Sequence, residues 1–410
     1  TRRPPHDRRR PDRRPVTDQH ASEPIVRIAA RGDGVTASGR HAPLAAPGDL
    51  LHEDGRVEPG PHHQQPPCRH FPECGGCQLQ HVDDEAFRQY LKDRVTGALA
   101  QHDLSTEVRE PHLSPPNSRR RASLRALKAG GQVLLGFNAE RSNRIIDMRE
   151  CHVLRPELFA LVAPLRKLLG AILPPKRVGE VQLTLCDQGV DLSLSGVSAE
   201  GLQAAEALTS FAEVHRLARL SLDEGYGLET RYEPVPATVT LSGTPVALPF
   251  GAFLQATEDG ERALVDAVQE SMGAAERTLD LFAGLGTFAL ALPGQVSAAE
   301  ASRDAILAMK SAAPRIDAHH RDLYRRPYAR AELGGFDAVV LDPPRAGAAE
   351  QVAELAASTV PCIAYVSCNP ATFARDARTL ADGGYTLSWV RPVGQFRWST
   401  HVELAAAFSR

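Results

Sequence analysis

No run of about 18 consecutive apolar residues occurs in this 410-residue sequence, and no apolar segment of the secretory type follows its N-terminus. The first absence argues against a transmembrane helix, and the second leads us to expect a cytoplasmic protein without a membrane partner. Seven cysteines are present, an odd number, which without a secretion signal favours metal-binding or catalytic thiols over a disulfide framework. The length exceeds what one core can hold, so two or three domains are expected.

The net charge of −3 conceals a basic N-terminus. Residues 1–15 hold seven arginines and two aspartates, so this segment carries +5 and the remainder of the chain −8. The segment is rich in proline and has no apolar stripe, which predicts a disordered basic tail over residues 1–23. Two interpretations stay open: the tail adds sequence-independent affinity for phosphate, or it is only a solvated extension.

Helix–strand alternation begins near residue 260 and predicts parallel strands joined by crossover helices. Within it, TLDLFAGLGTFALAL (278–292) predicts an apolar strand, a glycine turn and a helix. Gly284 and Gly286 allow the backbone to turn tightly and to approach a ligand. The third glycine of G-x-G-x-x-G is missing, and no Lys-Ser/Thr pair follows, which excludes a P-loop. The pattern favours an S-adenosylmethionine site over a dinucleotide site or a purely structural turn.

Acidic residues follow the neighbouring predicted strands. Glu300 ends the second strand and suits hydrogen bonding to ribose hydroxyls. Asp322 stands where a third strand would end, within reach of an adenine, although alone it would be a surface residue. Asp342 opens the sequence DPPR after a fourth strand. Ligands of open α/β sheets bind beyond the carboxyl ends of the strands, so we expect these carboxylates to line one rim.

Cys368 comes at the same edge, after the predicted strand Ile363–Val366 and before a helix that Asn369 caps and Pro370 begins. A helix N-terminus is expected to lower the pKa of a thiol, and a thiolate is a nucleophile. Beside a methyl donor, a thiolate that adds to C6 of a pyrimidine turns C5 into a carbon nucleophile. The alternative for a cysteine at a strand end is a buried apolar residue, which is the role we expect for Cys362.

The stretches DPPRAG (342–347), IAYVSCNPAT (363–372) and THVELAAAF (400–408) resemble the RNA 5-methyluridine methyltransferases. More closely, the chain resembles the iron–sulfur branch that modifies uridines of 23S ribosomal RNA, over roughly residues 67–410. The resemblance implies an S-adenosylmethionine-dependent enzyme that forms a covalent adduct with RNA. It implies an α/β fold class, with a Rossmann-like methyltransferase domain preceded by an α+β RNA-binding domain and a truncated N-terminal β unit of the TRAM/OB type. The expected regions are the tail at 1–23, the β unit and linker at 24–66, the iron–sulfur and RNA-binding region at 67–240, and the methyltransferase domain at 241–410.

Matched position by position, the resemblance makes Cys368 the nucleophile and Glu403 the general base that removes the C5 proton. Phe253 would pack near the extracted base. The positions that match cofactor contacts are Gln255, Phe282, Gly284, Gly286, Thr287, Glu300, Asp322 and Asp342. The chain departs from the family pattern at Thr257, which replaces an Asn, at Ala364, which replaces a larger aliphatic residue, and in RWSTHVE (397–403), which lacks the usual Pro-His run.

The sequence CRHFPECGGCQLQH spaces Cys68, Cys74 and Cys77 as C-x5-C-x2-C, and Cys151 follows later in the chain. From the spacing alone, four thiolates suit either zinc or an iron–sulfur cluster. The resemblance implies that these four cysteines hold a [4Fe–4S] cluster, whereas Cys186 is expected in the core and His70 and His81 are expected to be bystanders.

These features together predict a monomeric RNA uridine-C5 methyltransferase that acts on ribosomal RNA. Its grip on RNA is expected to involve Arg119, Arg120, Arg121 and Arg125, since the β unit is short. A transfer-RNA methyltransferase and a non-catalytic RNA-binding protein with a relict fold are the alternatives.

Overall fold

The computed structural model describes residues 22–410. The tail predicted at 1–23 therefore lies outside the described residues, apart from its end, where Glu23 already belongs to the first strand. Within the described chain, no helix combines the length and the apolar character needed to cross a membrane.

A five-stranded sheet of short strands forms the N-terminal unit, in the order β3-β2-β1-β4-β5. A β-bulge between Ile25 and Arg27 lets Ile25 face the small core of this unit while Ile28 packs with the helix that follows. That helix begins at the cap Asp83, whose carboxylate accepts a hydrogen bond from Ala86 N at 2.8 Å. The elements are β1 (Glu23–Ile28), β2 (Gly34–Thr36), β3 (His41–Ala42), β4 (Leu50–Leu51), β5 (Val57–Glu58), α1 (Asp84–Ala100), β6 (Glu107–Val108) and β7 (His112–Leu113).

The central region is an α+β layer built on a six-stranded sheet in the order β13-β12-β11-β10-β8-β9. Leucines and valines on one face of its strands pack against its helices and form one core, whereas Ser123, Gln182 and Ser193 lie on the strands beside an open groove. The elements are β8 (Arg121–Ala129), β9 (Gln132–Gly136), α2 (Pro156–Ala160), α3 (Val162–Ile172), β10 (Val178–Cys186), β11 (Gly189–Ser195), α4 (Leu202–Val214), β12 (Arg219–Asp223) and β13 (Leu228–Tyr232).

The C-terminal domain is Rossmann-like and centres on a nine-stranded sheet, in which β18-β17-β16-β19-β20 are parallel and β22-β21 continue antiparallel. The parallel strands are nearly all apolar because both of their faces are covered. The elements are β14 (Thr238–Leu241), β15 (Thr244–Ala247), α5 (Glu258–Met272), β16 (Arg277–Leu281), β17 (Gln295–Glu300), α6 (Arg303–Ala312), β18 (Asp317–His320), α7 (Arg330–Leu333), β19 (Ala338–Leu341), α8 (Ala349–Ala356), β20 (Cys362–Ser367), α9 (Pro370–Asp382), β21 (Thr386–Gly394) and β22 (Glu403–Ser409).

Two segments from earlier in the chain complete this domain. The strands β6 and β7 pair with β21 at the edge of the large sheet, and α1 packs against α9 and β21. The β14–β15 hairpin contributes Val239, Leu241 and Val246 to the same core. The sequence boundaries at 67–240 and 241–410 therefore differ from the packing, because edge strands this short carry almost no hydrophobic pattern of their own.

The helix predicted directly after the glycine turn is wrong, because residues 284–291 form successive turns. Asp280 provides a physical reason. Its Oδ2 accepts a hydrogen bond from Ala289 N at 2.9 Å, a donor that a regular helix would give to the carbonyl of Leu285. Only isolated helical bonds survive, such as Leu290 N to Gly286 O.

Strand register brings the predicted site residues to one edge. Leu281 is level with Leu341, and Leu341 with Tyr365, so the chain leaves β16, β19 and β20 at neighbouring points. In the antiparallel pair β20–β22, Ser367 lies opposite Leu404. One further step in this register places Cys368 opposite Glu403, and directly opposed residues have Cβ atoms about 5 Å apart.

Candidate active site

The glycine turn forms the floor of the site, between β16 and β17. Gly284 and Gly286 have φ angles of +55° and +92°, and Phe282, which is not glycine, has +63°. This left-handed region is costly for a bulky residue, and such strain concentrates at functional sites. The Phe282 ring packs against Tyr324, with ring centroids 5.6 Å apart. Thr287 lies in the same turn and is partly buried.

Glu300 ties the glycine turn to the end of β17. Its Oε2 accepts a hydrogen bond from Gly284 N at 3.0 Å, and its Oε1 accepts one from Ser302 N at 2.7 Å. The predicted position of Glu300 at the end of its strand is confirmed. Asp322 lies two residues beyond β18, where its Oδ1 accepts hydrogen bonds from Tyr324 N and Arg325 N. Both carboxylates therefore face backbone donors at the carboxyl edge of the sheet.

Asp280 is a buried acid that the sequence analysis gave no role. It is 0% exposed, and its Oδ1 has no hydrogen-bond partner. Burial raises its pKa well above the ordinary value. The sequence does indicate a role for Asp280, because an acidic residue inside an apolar strand is costly to bury unless it has a function. In the structure it shapes the turn that follows the strand.

Asp342, Cys368 and Glu403 form the centre of the site. Burial raises the pKa of Asp342 to about 7. Burial, and then repulsion from Asp342, raises the pKa of Glu403 to about 8. For Cys368, burial comes first and repulsion from Glu403 and Asp342 follows, which raises its pKa to about 11. A cluster of several acids with shifted pKa values is typical of an active site.

The expectation that the helix N-terminus lowers the pKa of Cys368 is wrong for this state of the protein. The geometry was predicted correctly: Cys368 follows β20, Asn369 caps α9, and Pro370 begins it. The effect of the helix is outweighed by burial and by two carboxylates, whereas Arg345 favours the thiolate only weakly.

A buried amide, Gln395, connects the two sides of the site and was missed by the sequence analysis. Gln395 Nε2 donates to Gln255 Oε1 at 2.7 Å, and Ala256 N donates to Gln395 Oε1 at 2.8 Å. Gln395 also hydrogen-bonds Glu403, which favours the ionised carboxylate. The signal for it was weak, because a single glutamine after an apolar strand has many explanations.

Thr257 takes a structural role that explains its departure from the family's Asn. Its hydroxyl caps α5 by accepting a hydrogen bond from Gly260 N at 3.0 Å, and it bonds Ser114 Oγ at 2.9 Å. Thr257 is only 1% exposed. Both residue types are good helix N-caps, so the replacement preserves the helix start.

Phe253 is 60% exposed, and the guanidinium of Arg121 lies 5.0 Å from its ring centroid. Of the four arginines expected to hold RNA, Arg120 is buried, donates to the carbonyl of Gln255 and pairs with Glu261. Its predicted RNA contact is therefore wrong, since a buried ion pair already uses its charge.

An open basic groove runs past the site, between the N-terminal unit, the central sheet and the C-terminal domain. In the described part of the chain one glutamate lines it, against six arginines: Arg31, Arg94, Arg119, Arg125, Arg141 and Arg345. Phe396 and His401 line it as well, with ring centroids 5.6 Å apart. Arginines with interleaved aromatic rings are suited to a nucleic-acid strand.

All four predicted metal ligands, Cys68, Cys74, Cys77 and Cys151, line a single cavity beside the groove. Burial, followed by repulsion from Cys151 and Cys74, raises the pKa of Cys77 to about 12. Among residues 22–410, no group of three or more His, Cys, Asp or Glu side chains is arranged to hold a single metal ion. Cys186 is buried in the C-terminal core, as expected.

The chain is similar to known RNA methyltransferases. A family model described as tRNA (Uracil-5-)-methyltransferase matches residues 318–410. A Zymomonas mobilis protein named an uncharacterized RNA methyltransferase is 50% identical over 94% of this chain and 99% of its own length. A Halomonas elongata protein named 23S rRNA (uracil(1939)-C(5))-methyltransferase RlmD is 33% identical over 82% of this chain and 75% of its own length.

Among solved structures, the Pyrococcus abyssi tRNA (uracil-54, C5)-methyltransferase in complex with S-adenosyl-L-homocysteine has a TM-score of 0.72. It is 22% identical, and the match covers 95% of this chain and all of that chain. The fold of the two proteins is therefore the same.

The carboxylate of Glu403 is predicted to hold the Cys368 thiol in its protonated form. In a Glu403→Gln variant, alkylation of Cys368 by iodoacetamide at pH 9, above the pKa of about 8 of Glu403, should be faster than in the wild type, because the variant lacks a carboxylate whose repulsion raises the pKa of the thiol. Mass spectrometry of the peptide that contains Cys368 measures the rate. Glu350→Gln, at an exposed position on α8, is the control. Equal rates in Glu403→Gln and in the wild type would contradict the assigned repulsion.

Proposed function

The chain belongs to the S-adenosylmethionine-dependent RNA 5-methyluridine methyltransferases, and we propose that it methylates C5 of a specific uridine in 23S ribosomal RNA through a covalent adduct with Cys368. The observation that carries the proposed chemistry is the register of β20 and β22, in which Ser367 lies opposite Leu404, so that the next step sets Cys368 opposite Glu403. A nucleophile and a base then face the same small volume from two strands. All of these residues come from one copy of the chain, which suits a monomeric enzyme.

The proposed reaction begins when the Cys368 thiol has lost its proton and the thiolate sulfur bonds to C6 of the flipped uracil, which moves the C5=C6 electron pair toward C5 and the O4 carbonyl. When bound, S-adenosylmethionine supplies an electrophilic methyl group on a positively charged sulfonium. After C5 carries the methyl group, Glu403 takes the C5 proton, the C5=C6 double bond forms again, and the S–C6 bond breaks. Phe253 would hold the extracted base, and the rings of Phe396 and His401 in the basic groove would hold the neighbouring nucleotides.

The electrostatics of the site support a cationic methyl donor. Asp342, Glu403 and Cys368 lie together: Asp342 raises the pKa of Glu403, and both carboxylates raise the pKa of Cys368. A positive charge nearby would favour the ionised forms that both the nucleophile and the base need. We propose that Gln255, Phe282, Gly284, Gly286, Thr287, Glu300, Asp322 and Asp342 surround the cofactor, since they share the carboxyl edge of the sheet.

Thiolates are ligands of iron–sulfur clusters and of zinc, and the four predicted ligands line one cavity, although the described residues show no group arranged around a single metal ion. The four cysteines are free thiols that line this cavity together. We propose that Cys68, Cys74, Cys77 and Cys151 hold a [4Fe–4S] cluster, as in the iron–sulfur branch that the sequence resembles. Zinc is the alternative that the thiols alone leave open.

We propose that the N-terminal unit and the central region, residues 24–66 and 67–240, hold the RNA along the basic groove. The similarity to the Halomonas protein supports 23S ribosomal RNA, whereas the description of the matching family model makes transfer RNA the second candidate.

Nucleophile and base are predicted to fail differently. Cys368→Ala should form no covalent complex with RNA, whereas Glu403→Gln should form the adduct, transfer the methyl group and release product slowly, because only the last proton transfer is lost. Denaturing gels with labelled RNA measure the adduct. Cys362→Ala is the matched control, since Cys362 begins the same strand and packs against the core. The same band pattern for Cys368→Ala and Glu403→Gln would show that the roles are wrongly assigned.

Substrate choice is predicted to favour ribosomal RNA. With radiolabelled cofactor, each mole of protein-free 23S ribosomal RNA should accept more than roughly ten times as many methyl groups as each mole of bulk transfer RNA. This ratio lies within the range of specificity ratios that nucleic-acid-binding proteins reach. Mapping of 5-methyluridine in the product identifies the position. Preferential labelling of transfer RNA would replace this proposal by its alternative.

Anaerobically purified protein is predicted to be brown and to contain iron and sulfide. Cys77→Ser should lose most of the iron, since Cys77 is a buried member of the cysteine cavity. Cys186→Ser should keep it, because Cys186 lies in a different core. Stoichiometric zinc without iron in the wild-type protein would favour the zinc alternative.

A further inference from the structure

One face of the central sheet is polar from β8 to β12. Ser123, Gln182 and Ser193 lie opposite one another on three neighbouring strands and form one row across the sheet. A second row beside it runs from β8 to β12 and consists of Arg121, Thr184, Asp191 and Arg219. The residues between the two rows are mostly apolar and face the core on the other side of the sheet. Most of the two polar rows lines one open groove.

A loop from Leu248 to Leu254 crosses this polar groove and is fastened at both ends by the outer arginines of the second row. Arg219 Nη1 donates to the carbonyl of Leu248 at 2.9 Å, and Arg121 Nη1 donates to the carbonyl of Leu254 at 2.7 Å. The strands that carry these arginines are separated by β10 and β11, which puts them about 14 Å apart at roughly 4.8 Å per spacing. The loop therefore bridges the face of the sheet.

The loop presents two phenylalanine rings, and each ring faces one of the two arginines. The guanidinium of Arg219 lies 4.4 Å from the ring centroid of Phe250, and that of Arg121 lies 5.0 Å from the centroid of Phe253. Both rings are open to solvent, Phe250 by 42% and Phe253 by 60%. Arg219 is itself fixed by two hydrogen bonds to Asp191, at 2.9 and 2.8 Å. An exposed ring on a fixed support is suited to stacking with a nucleic-acid base.

The polar rows retain unused hydrogen-bonding capacity. Gln182 Nε2 donates to Glu180 Oε1 at 3.2 Å, which leaves the side-chain carbonyl of Gln182 without a partner in the described chain. The hydroxyls of Thr184 and Ser193, which line the same groove, have no partner among residues 22–410 either. Amide and hydroxyl groups of this kind read the edges of unpaired bases.

The polar groove continues from the basic groove, because Arg119 and Ser123 line both. The two carboxylates that line the polar groove are already paired with arginines. Arg119 and Arg121, in contrast, donate to backbone carbonyls and, among the described residues, to no carboxylate. Two cations without a counter-charge favour a phosphate at this junction, so an RNA chain that follows the basic groove can enter the polar groove.

We propose that the polar groove is a second RNA subsite, in which an unpaired nucleotide beside the target uridine stacks on Phe250 and turns its edge toward Gln182. The inference rests on the proposed function and assigns the choice of uridine to this subsite. The basic groove holds the RNA backbone, whereas the polar groove reads a base. Phe253, proposed to contact the target base, follows Phe250 by three residues in the same loop. The loop thus connects recognition of the neighbouring nucleotide to placement of the target.

Equilibrium binding of a short RNA tests the stacking contact. The RNA contains the uridine that product mapping identifies, with its flanking nucleotides. Phe250→Ala should raise the Kd by roughly five- to 100-fold, the effect of losing one stacked base. Phe250→Trp keeps a ring and should bind within about twofold of the wild type, since the stacking contact remains. Tyr226→Ala is the matched control, because Tyr226 is a 96% exposed aromatic residue between β12 and β13 of the same region.

RNAs that lack a single base separate stacking from a structural effect. Removal of the neighbouring base should weaken binding to the wild type but should not weaken it further in Phe250→Ala, because ring and base form one contact. Gln182→Ala should reduce the preference for the native base at that position. The log–log salt slope should be unchanged in Phe250→Ala, whereas Arg31→Ala, at an exposed position of the basic groove, should reduce it by about 0.7.

The possible failures are distinguishable. If the wild-type protein produces no 5-methyluridine in any RNA, the proposed function is wrong and this subsite falls with it. If the wild type methylates RNA but the loss of no flanking base is coupled to Phe250→Ala, only the second subsite is wrong. Equal RNA affinities of Phe250→Ala and Tyr226→Ala would overturn it as well.

Discussion

The antiparallel placement of β22 between β20 and β21 is the constraint on which the candidate site depends. A parallel α/β sheet alone would place Cys368 near Asp342 and the glycine turn, since all three follow the carboxyl ends of neighbouring strands. Only a strand that runs the other way begins at that edge. β22 does so with Glu403, and its register with β20 fixes which residue faces Cys368. A register change of one residue would turn Glu403 to the other face of the sheet.

The same placement has an electrostatic cost. Burial holds Asp342, Glu403 and Cys368 in or near their protonated forms, with pKa values raised to about 7, 8 and 11. The unfolded chain releases the Glu403 proton near the ordinary pKa of 4.5, whereas the folded chain releases it near about 8, so folding becomes less favourable as the pH rises between these values. Burial of Glu403 in the candidate active site therefore lowers the stability of the fold above about pH 4.5. A positively charged ligand would offset it, which couples the stability of the fold to occupancy of the site.

Local patterns in the sequence predicted what local physics determines. The alternation of strands and helices, the glycine turn, the end of β17 at Glu300 and the start of α9 after Cys368 all follow from short stretches of sequence, and the structure contains each of them. The direction of the Cys368 pKa shift could not be predicted this way, because Glu403 lies 35 positions later in the chain and approaches only through sheet pairing. The helix expected after the glycine turn failed for a related reason. Asp280, on the preceding strand, accepts a hydrogen bond from the backbone N–H of Ala289, which a helix would have used internally. Helix propensity contains no information about that competition.

Contacts with residues far away in the sequence give the three consecutive arginines at 119–121 different roles, which the sequence composition could not predict. Arg119, Arg120 and Arg121 are consecutive, yet Arg120 is buried against Glu261, while Arg119 and Arg121 lie over the rings of Phe396 and Phe253. Successive residues at the start of a strand face opposite sides, so a run of three like charges is split between the two sides of the chain. The buried member joins the start of the central sheet to Gln255 and Glu261 of the C-terminal domain, whereas Arg119 lines the basic groove and Arg121 lines a neighbouring groove beside the central sheet. One short basic sequence therefore supplies both the joint between the domains and part of the surface that we propose for RNA.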